Sequence, residues 1–337
     1  MRVLHVVNYN GDSKNGVDVV IDNIIKHSDH EHEIFSLTKS DNLLDLLSNI
    51  SKFDFAVIHT VYNPKSLIIM TALKMFNVSY SVFPHSSFTK ESQKKSKLKK
   101  KIFNLLLNVC VKNSAYINFL NKEEIENSIK HQTTSEIVGN GINYVNETFK
   151  KDRYISFLSR YDLTHKGIDL LLQSIDVCSN ELRNSGFKIV MHGVREFEHD
   201  YLSMINFVAE KEISDIVIIN NEITCQNEKN RFLGESMFYI LTSRYEGLPL
   251  TALESLACDT PLLITKQTNL SDIVNRYGVG FVCDLSVDSI AEMIKKAVVI
   301  NDENYSSIQC RIGEVVSKEL LWKSVVGKHD ANYEKYK

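Results

Sequence analysis

Nowhere do the 337 residues hold the run of ~20 apolar positions that a membrane-spanning helix requires, so no transmembrane segment is expected. The six cysteines, Cys110, Cys178, Cys225, Cys258, Cys283 and Cys310, include no Cys-x-x-Cys pair. That absence argues against a disulfide framework or a zinc site and predicts reduced, mostly buried thiols in a cytoplasmic protein. Neither Gly-x-Gly-x-x-Gly nor the Gly-Lys-Ser/Thr of a P-loop follows the first strand, which disfavours a nicotinamide dehydrogenase. No sign of charge dominates: 39 Lys and Arg against 42 Asp and Glu leave a net −3, which speaks against a general nucleic-acid binder. The opening Met1-Arg-Val-Leu-His-Val-Val reads as a β-strand rather than a signal peptide.

What remains is a chain of ordinary globular composition, long enough for two domains with separate cores. Short apolar or β-branched runs at Val3 to Val7, Ile34 to Leu37, Phe55 to Ile58, Val78 to Phe83, Ala115 to Leu120 and Glu136 to Val138 predict strands. A second series follows at Tyr154 to Leu158, Lys188 to Met191, Ile216 to Ile219, Met237 to Leu241, Pro261 to Ile264 and Gly280 to Cys283. Amphipathic stretches separate them, so the fold class is α/β, with two Rossmann-like doubly wound domains facing across a cleft. The polar stretch near Asn146 to Asp152 predicts domains over 1–148 and 149–318. A last helix over 319–337 is long enough to cross back.

Glu246 and Glu254 stand eight positions apart in Ser-Arg-Tyr-Glu-Gly-Leu-Pro-Leu-Thr-Ala-Leu-Glu-Ser-Leu-Ala, residues 243–257, just after a strand. Pro249 fits the first turn of the next helix, where its missing N–H costs nothing. Glu246 then lies in the strand-to-helix turn and Glu254 roughly 7 to 8 Å along the axis beyond Pro249. The pair can grip both ends of an elongated anion whose phosphates face the free helix N–H groups, the shape of a nucleotide-diphosphate sugar. In the run Ser-Arg-Tyr-Asp-Leu-Thr-His-Lys-Gly, Arg160 occupies a loop after a strand and Lys166 the next helix start. Both cations can stabilise the charge that develops when a diphosphate departs, or can be ordinary surface ion-pair partners. The loop Asn8 to Val20 carries Gly11 and Gly16, which allow backbone to approach phosphate, although turn glycines are as common there.

Arg160 to Gly167 combined with Glu246 to Glu254 resembles family 4 of the retaining glycosyltransferases, enzymes of the GT-B fold, and the match spans nearly the whole chain. The resemblance implies an acceptor-binding first domain, a nucleotide-sugar-binding second domain and a C-terminal helix packing back towards the first. It implies that Glu246 contacts the donor sugar, that Glu254 accepts from the ribose diol and that Arg160 and Lys166 hold the diphosphate. Gly247, Leu248 and Pro249 belong to the same donor-binding turn. Gly16 matches the glycine that meets the phosphates, and His85, in Phe83-Pro-His-Ser-Ser-Phe, a histidine that faces the sugar, with Ser86 a weaker neighbour. His192-Gly193 resembles the start of a Gly-rich turn beside the base, and Asn140-Gly-Ile the Asn-Gly turn ahead of the second domain. His59 is a candidate on the acceptor side or a structural histidine. Departures from the pattern are Asn143, Asp259 in place of a glycine before Thr-Pro, Arg195 in place of a second glycine, and Lys266-Gln-Thr-Asn in place of a glycine-containing loop. Asp-x-Asp occurs nowhere, so the divalent metal which that motif binds in other sugar transferases is not expected and no cofactor is implied.

Seven lysines crowd residues 90–101, with Leu98, Ile102, Leu105 and Val109 at helical spacing beside them. This predicts a basic amphipathic helix whose lysines meet anionic lipid while the apolar stripe packs inward or dips into the interface. A solvated helix face is the plain alternative. The expectation is a retaining, metal-independent transferase that moves a hexose or N-acetylhexosamine, with a UDP-sugar favoured, to a glycan or lipid-linked glycan in surface-polysaccharide synthesis. Its expected place is the cytoplasm, with peripheral contact at the inner membrane face and no nucleic-acid partner. A silent sugar-nucleotide-binding subunit and a sugar-nucleotide epimerase of similar shape are the rivals.

Overall fold

Parallel strands covered on both faces need apolar residues at nearly every position, and the runs Val-Leu-His-Val-Val, Phe-Ala-Val-Ile and Leu-Leu-Ile-Thr meet that need. The computed structural model describes residues 1–9, 16–38, 41–94 and 97–337, without the side chains of 91, 94 and 97–99. Each run anticipated above forms a strand: β1 Arg2–Val7, β2 Glu31–Ser36, β3 Phe55–Ile58, β4 Ser79–Val82, β5 Tyr116–Phe119 and β6 Ser135–Ile137. The second series gives β7 Asp152–Leu158, β8 Lys188–His192, β9 Val217–Asn220, β10 Ser236–Leu241, β11 Leu262–Thr265 and β12 Gly280–Cys283. Two six-stranded parallel sheets result, ordered β2-β1-β3-β4-β5-β6 and β12-β11-β10-β7-β8-β9.

The chain divides into one unit of Met1–Gly141 with Trp322–Lys337 and another of Ile142–Leu321. The expected joint at 148/149 falls seven residues later, because Ile142 already belongs to the second unit. Its N–H donates to Leu320 O at 2.8 Å and it bridges to Leu321. Gly141 stays with the first unit, where a Cβ would meet the Trp322 ring at 2.7 Å.

In the first unit, Leu4, Val6, Ala56, Ile58 and Val82 build one face of the sheet, and Val3, Phe55, Val57 and Phe83 the other. The C-terminal helix Trp322–Tyr336 covers that second face through Tyr333, while Val325 and Val326 pack on Val20 and Ile24. In the second unit Ile155, Phe157, Ile189, Met191, Phe238 and Ile240 lie at or near zero exposure. Full burial of each such side chain contributes ~1.5–3 kcal/mol before entropy is counted.

Two sequence expectations are corrected. The thiols divide evenly enough that "mostly buried" fails: Cys178, Cys258 and Cys283 are buried, Cys110 is half-buried, and Cys225 and Cys310 are exposed; all six are free. In the helix Lys97–Lys112 the inward face is Leu107 and Val111 with Phe103, at spacing four. Ile102, Leu105, Leu106 and Val109 instead point to solvent, 62% to 71% exposed.

Candidate functional site

In the second sheet β7 lies between β8, its successor, and β10, so the chain winds in opposite directions on either side of the β7–β10 seam. Loops leaving the C-terminal ends of two such strands diverge and leave a ligand crevice between them. The loop after β7 carries Arg160 and Lys166; the loop after β10 carries Glu246. Gly167 is what lets the two meet. It caps the helix Ile168–Val177 at φ +62°, and a Cβ there would sit 2.1 Å from Thr242 O. Thr242 Oγ1 donates to the carbonyls of Lys166 and Gly167, both at 3.2 Å. Arg244 ties the same loops together: its guanidinium forks onto Asp169 with two 2.7 Å bonds and donates to Thr164 O at 2.6 Å.

Held this way, Lys166 Nζ lies 2.6 Å from Glu246 Oε1, and both side chains are only about one-tenth exposed. Ser243 Oγ donates to the same oxygen at 2.5 Å, and Asn269 Nδ2 donates to the Glu246 carbonyl at 2.6 Å. Among the described residues no bond reaches Glu246 Oε2, and Lys166 uses one of its three N–H donors. Arg160 lies further out: it pairs with Glu196, and its Nη2 is 3.5 Å from His165 Nδ1. His165 connects that guanidinium to the Glu246 loop by stacking on Tyr245, ring centroids 4.1 Å apart, and through its Nε2, 3.0 Å from Tyr245 O. Burial, then the neighbouring Lys166 ammonium, push the His165 pKa down and keep the ring neutral.

Pro249 is not inside the first helical turn as anticipated. Its ψ of 110° is extended, so it is the N-cap, and the helix runs Leu250–Ala257. Glu254 still falls a turn and a half inside. Its Oε1 pairs with Lys229 Nζ at 2.6 Å, from the helix Gln226–Glu235, and no bond among the described residues reaches its Oε2. Tyr239 sits near both acids: burial first, then the charges of Glu246 and Glu254, raise its pKa well above the ordinary phenol value. The charges of both carboxylates thus act on one buried phenol, and each carboxylate keeps an oxygen without a bond among the described residues.

The remaining residues are placed as follows. Leu248 is buried and Gly247 half-buried in the turn before Pro249. His192 ends β8, with Nδ1 2.8 Å from Asn221 O and its ring edge-on to Phe232, and burial lowers its pKa. Gly193 is required where it stands, since a Cβ would lie 2.2 Å from Ser159 O in the loop after β7. Two departures from the family pattern keep the backbone a glycine would adopt: Asp259 has φ +55° and Asn269 φ +60°, both residue types that tolerate the left-handed region.

Gly16 and His85 belong to the first unit. Gly16 is exposed and opens the helix Gly16–His27; Gly11 lies outside the described residues. His85 and Ser86 both have positive φ, +44° and +65°, in the turn after β4. The buried Glu124 holds that turn, accepting Ser86 N–H and Leu120 N–H at 2.7 Å each. His59 does not open towards solvent. Both its nitrogens are engaged, by His5 and His85 at 2.9 Å. In the lysine-rich segment, Lys100 is turned inward onto Ser92 O and over the Tyr62 ring.

Sequence reasoning missed Ser243, His165, Lys229 and Glu124, and noted Asn269 only as part of a departing loop. His165 lies inside the quoted Arg160 to Gly167 run and Ser243 three residues before Glu246, so proximity alone would have flagged those two. The other three reach their places only through tertiary contacts.

Residues 142–308, which lie in the second unit, match the family model described as glycosyl transferases group 1. An uncharacterized glycosyltransferase of Methanocaldococcus jannaschii is 24% identical over 220 residues, 65% of this chain and 56% of that protein. An uncharacterized glycosyltransferase of Haemophilus influenzae is 29% identical over 133 residues, 39% of this chain and 35% of that protein. The chain thus spans about half or less of the length of these curated relatives. Among solved structures, Anabaena HepE in complex with UDP superposes with a TM-score of 0.78 at 11% identity, covering 99% of this chain and all of that one. Sucrose-phosphate synthase from Thermosynechococcus elongatus does so with a TM-score of 0.74 at 12% identity, covering 99% of each chain. The fold is GT-B.

Proposed function

We propose that the chain is a retaining, metal-independent glycosyltransferase of the family 4 kind. It moves a hexose or N-acetylhexosamine from a nucleotide-diphosphate sugar to a hydroxyl of a glycan or lipid-linked glycan in surface-polysaccharide assembly. The observation that carries this reading is the half-open pair at the β7–β10 seam. Among the described residues Lys166 keeps two N–H donors unused, which suit phosphate oxygens, while Glu246, held by Lys166 and Ser243, keeps Oε2 unused, which suits sugar hydroxyls. Glu254 Oε2 is open in the same way for a ribose diol. Arg160 is recruited at little cost, because its exposed pair with Glu196 is of the kind worth ~0–1 kcal/mol. A UDP donor is favoured because HepE was solved with UDP and glucose. Gly16, His85, His192 and Gly193 enter the proposal through the family resemblance.

In the reaction the bond from the anomeric carbon to the diphosphate breaks, and its electron pair leaves with the phosphate oxygen. Lys166 and Arg160 neutralise that oxygen, which removes the need for a metal. The acceptor oxygen attacks from the same face and its proton passes to a phosphate oxygen. Glu246 steadies the sugar rather than forming a bond to it.

Peripheral contact with anionic membrane, on the cytoplasmic side, is part of the proposal. Its support is the solvent-facing row Ile102, Leu105, Leu106 and Val109 beside Lys101. Four large apolar side chains on one helix face, next to a basic segment, are what an interfacial helix presents. Among the described residues no helix is long and apolar enough to cross a membrane.

The test is nucleotide release from a panel of UDP-, GDP- and ADP-sugars with and without acceptor. Release that Glu246→Gln and Lys166→Ala both leave undiminished rules out the site. Saturable binding without any release points to a binding subunit, and a changed sugar in the absence of acceptor points to an epimerase.

A further inference from the structure

Four histidines, two on neighbouring strands of the first sheet and two just beyond the ends of the next strands, form an unbroken row of ring-to-ring hydrogen bonds. His32 Nδ1 lies 2.8 Å from His5 Nε2, His5 Nδ1 lies 2.9 Å from His59 Nε2, and His59 Nδ1 lies 2.9 Å from His85 Nε2. The row follows the order of the sheet: β2, β1, the end of β3, then the turn after β4. Its middle members are sealed, His5 at 0% and His59 at 4% exposure. Phe83 packs edge-on against His59, and His329 of the C-terminal helix lies on Phe83 at 5.2 Å. Burial holds every ring of the row neutral, with His32 and His85 pushed down to about 4 and His5 and His59 well below their ordinary value.

A neutral imidazole has one N–H and one lone pair. Each link therefore has a donor side and an acceptor side, and choosing one link fixes all the others. Two arrangements exist. In the first, His85 donates from Nε2, every bond points towards His32, and His32 Nε2 carries an N–H while His85 Nδ1 is bare. In the second, every bond points towards His85, His32 Nε2 is bare, and His85 Nδ1 carries the N–H. The far end decides between them: His32 Nε2 is buried and has no partner among the described residues. An orphaned buried N–H is rarer and costlier than an unused acceptor, so the second arrangement is favoured. At the near end, His85 is half-buried and its Nδ1 has no partner among the described residues.

We propose that the row His32–His5–His59–His85 is a tautomer lock that presents His85 Nδ1–H as a hydrogen-bond donor to a ligand oxygen rather than as a base. His5, His32 and His59 are then positioning residues acting through His85. The ligand being a donor sugar rests on the proposed function; the tautomer itself does not.

The experiment records the side-chain nitrogens of 15N-histidine-labelled protein at pH 7.5 without ligand, with His85 assigned from the His85→Gln spectrum. Bare and protonated ring nitrogens fall in separate shift ranges, so each tautomer is read directly. The wild type is expected to show His85, His59 and His5 all protonated on Nδ1. His32→Glu sets an acceptor beside His5 Nε2 and is expected to switch all three rings to Nε2–H. His32→Lys supplies a donor and leaves them as in the wild type. His85 protonated on Nε2 in the wild type overturns the proposal, as does a His85 that keeps its tautomer while His5 switches. If His32→Glu does not fold, the wild-type and His32→Lys spectra decide alone. Where a donor sugar nucleotide binds, His32→Glu is expected to weaken it roughly tenfold, the worth of about one hydrogen bond, and to leave UDP binding unchanged. A wild type that binds no sugar nucleotide defeats the functional reading, and the spectra still test the lock.

Discussion

Lys166 and Glu246, 80 residues apart in the chain, close a 2.6 Å ion pair between the loops of two adjacent parallel strands. A pair this sheltered cannot be judged by stability alone. Breaking a fully buried pair costs ~3–5 kcal/mol, and one with a tenth of its surface open costs less. The informative variant is Glu246→Gln, which keeps the shape and the bonds from Lys166 and Ser243 while removing the charge. It is expected to melt close to the wild type yet release nucleotide ~10²–10³-fold more slowly, the usual cost of losing a preorganised electrostatic partner. Lys166→Ala slows release as much and also lowers the melting temperature, because it strands the Glu246 carboxylate. Melting curves alongside nucleotide-release rates check both.

Glu254 is expected to act on the nucleoside end only. Glu254→Ala removes the open Oε2 and strands Lys229, so the rise in melting temperature given by UDP shrinks while that given by pyrophosphate persists. Loss of both stabilisations together would place Glu254 on the phosphates instead.

Gly167 is the hinge of the arrangement in the steric sense. Gly167→Ala sets a side chain at φ +62° and drives its Cβ towards Thr242 O, 2.1 Å away. Strain and overpacking together are expected to cost roughly 2–4 kcal/mol in denaturant unfolding. Because the two loops must separate to relieve the clash, transfer falls in the protein that remains folded.

The sheets were legible because a strand buried on both faces must be apolar almost throughout, and the twelve runs say so without tertiary information. Glu246 and Lys166 were legible because each sits at a fixed offset from a strand end, where doubly wound sheets carry their ligands. The helix Lys97–Lys112 shows where such reading stops. Positions 102, 105 and 109 and positions 103, 107 and 111 are both apolar at helical spacing, and periodicity does not say which face turns inward. Lys229 and the histidine row depend on register between strands and helices distant in sequence, which no local pattern encodes. Pro249 missed by one position, since both N-cap and first-turn proline have the same φ and differ only in ψ.

Acid is expected to unfold the first unit early. His85 and His32, held to about 4, His329, held to about 3, and His5 and His59, held lower than usual, all bind fewer protons folded than unfolded between pH 6.5 and 4. Stability follows the difference in bound protons, unfolded minus folded, so it rises with pH across that window and is lost as pH falls through it. The groups that face these rings mostly add to the effect: His30 and the N-terminus oppose charge on His32, and Lys328 opposes it on His329, while Asp330 favours it on His32. Each pH unit by which such a group is held down costs ~1.4 kcal/mol, or roughly 3–6 °C of melting temperature. His329→Phe removes one of these groups, whose Nδ1 is buried without a partner, and is expected to flatten the profile below pH 6. An unchanged slope would show that His329 takes up its proton as readily in the folded chain as in the unfolded one.

The exposed row on the helix Lys97–Lys112 separates a lipid contact from an incidental apolar surface. Leu105 and Leu106 are 71% and 65% exposed, so Leu105→Glu with Leu106→Glu removes no core contact and is expected to shift the melting temperature little. On vesicles containing anionic lipid the same double variant loses two inserting side chains, each worth ~1.5–3 kcal/mol when buried, and gains two like charges facing the surface. Cosedimentation with such vesicles is therefore expected to fall by at least a hundredfold, while release of nucleotide in solution stays at the wild-type rate. Lys101→Glu reads the electrostatic part, with a loss of about 1 kcal/mol per charge removed that fades as salt rises. Neutral vesicles bound as well as anionic ones would mean that the apolar row alone is at work, and a double variant that still cosediments would mean that the row meets no lipid at all.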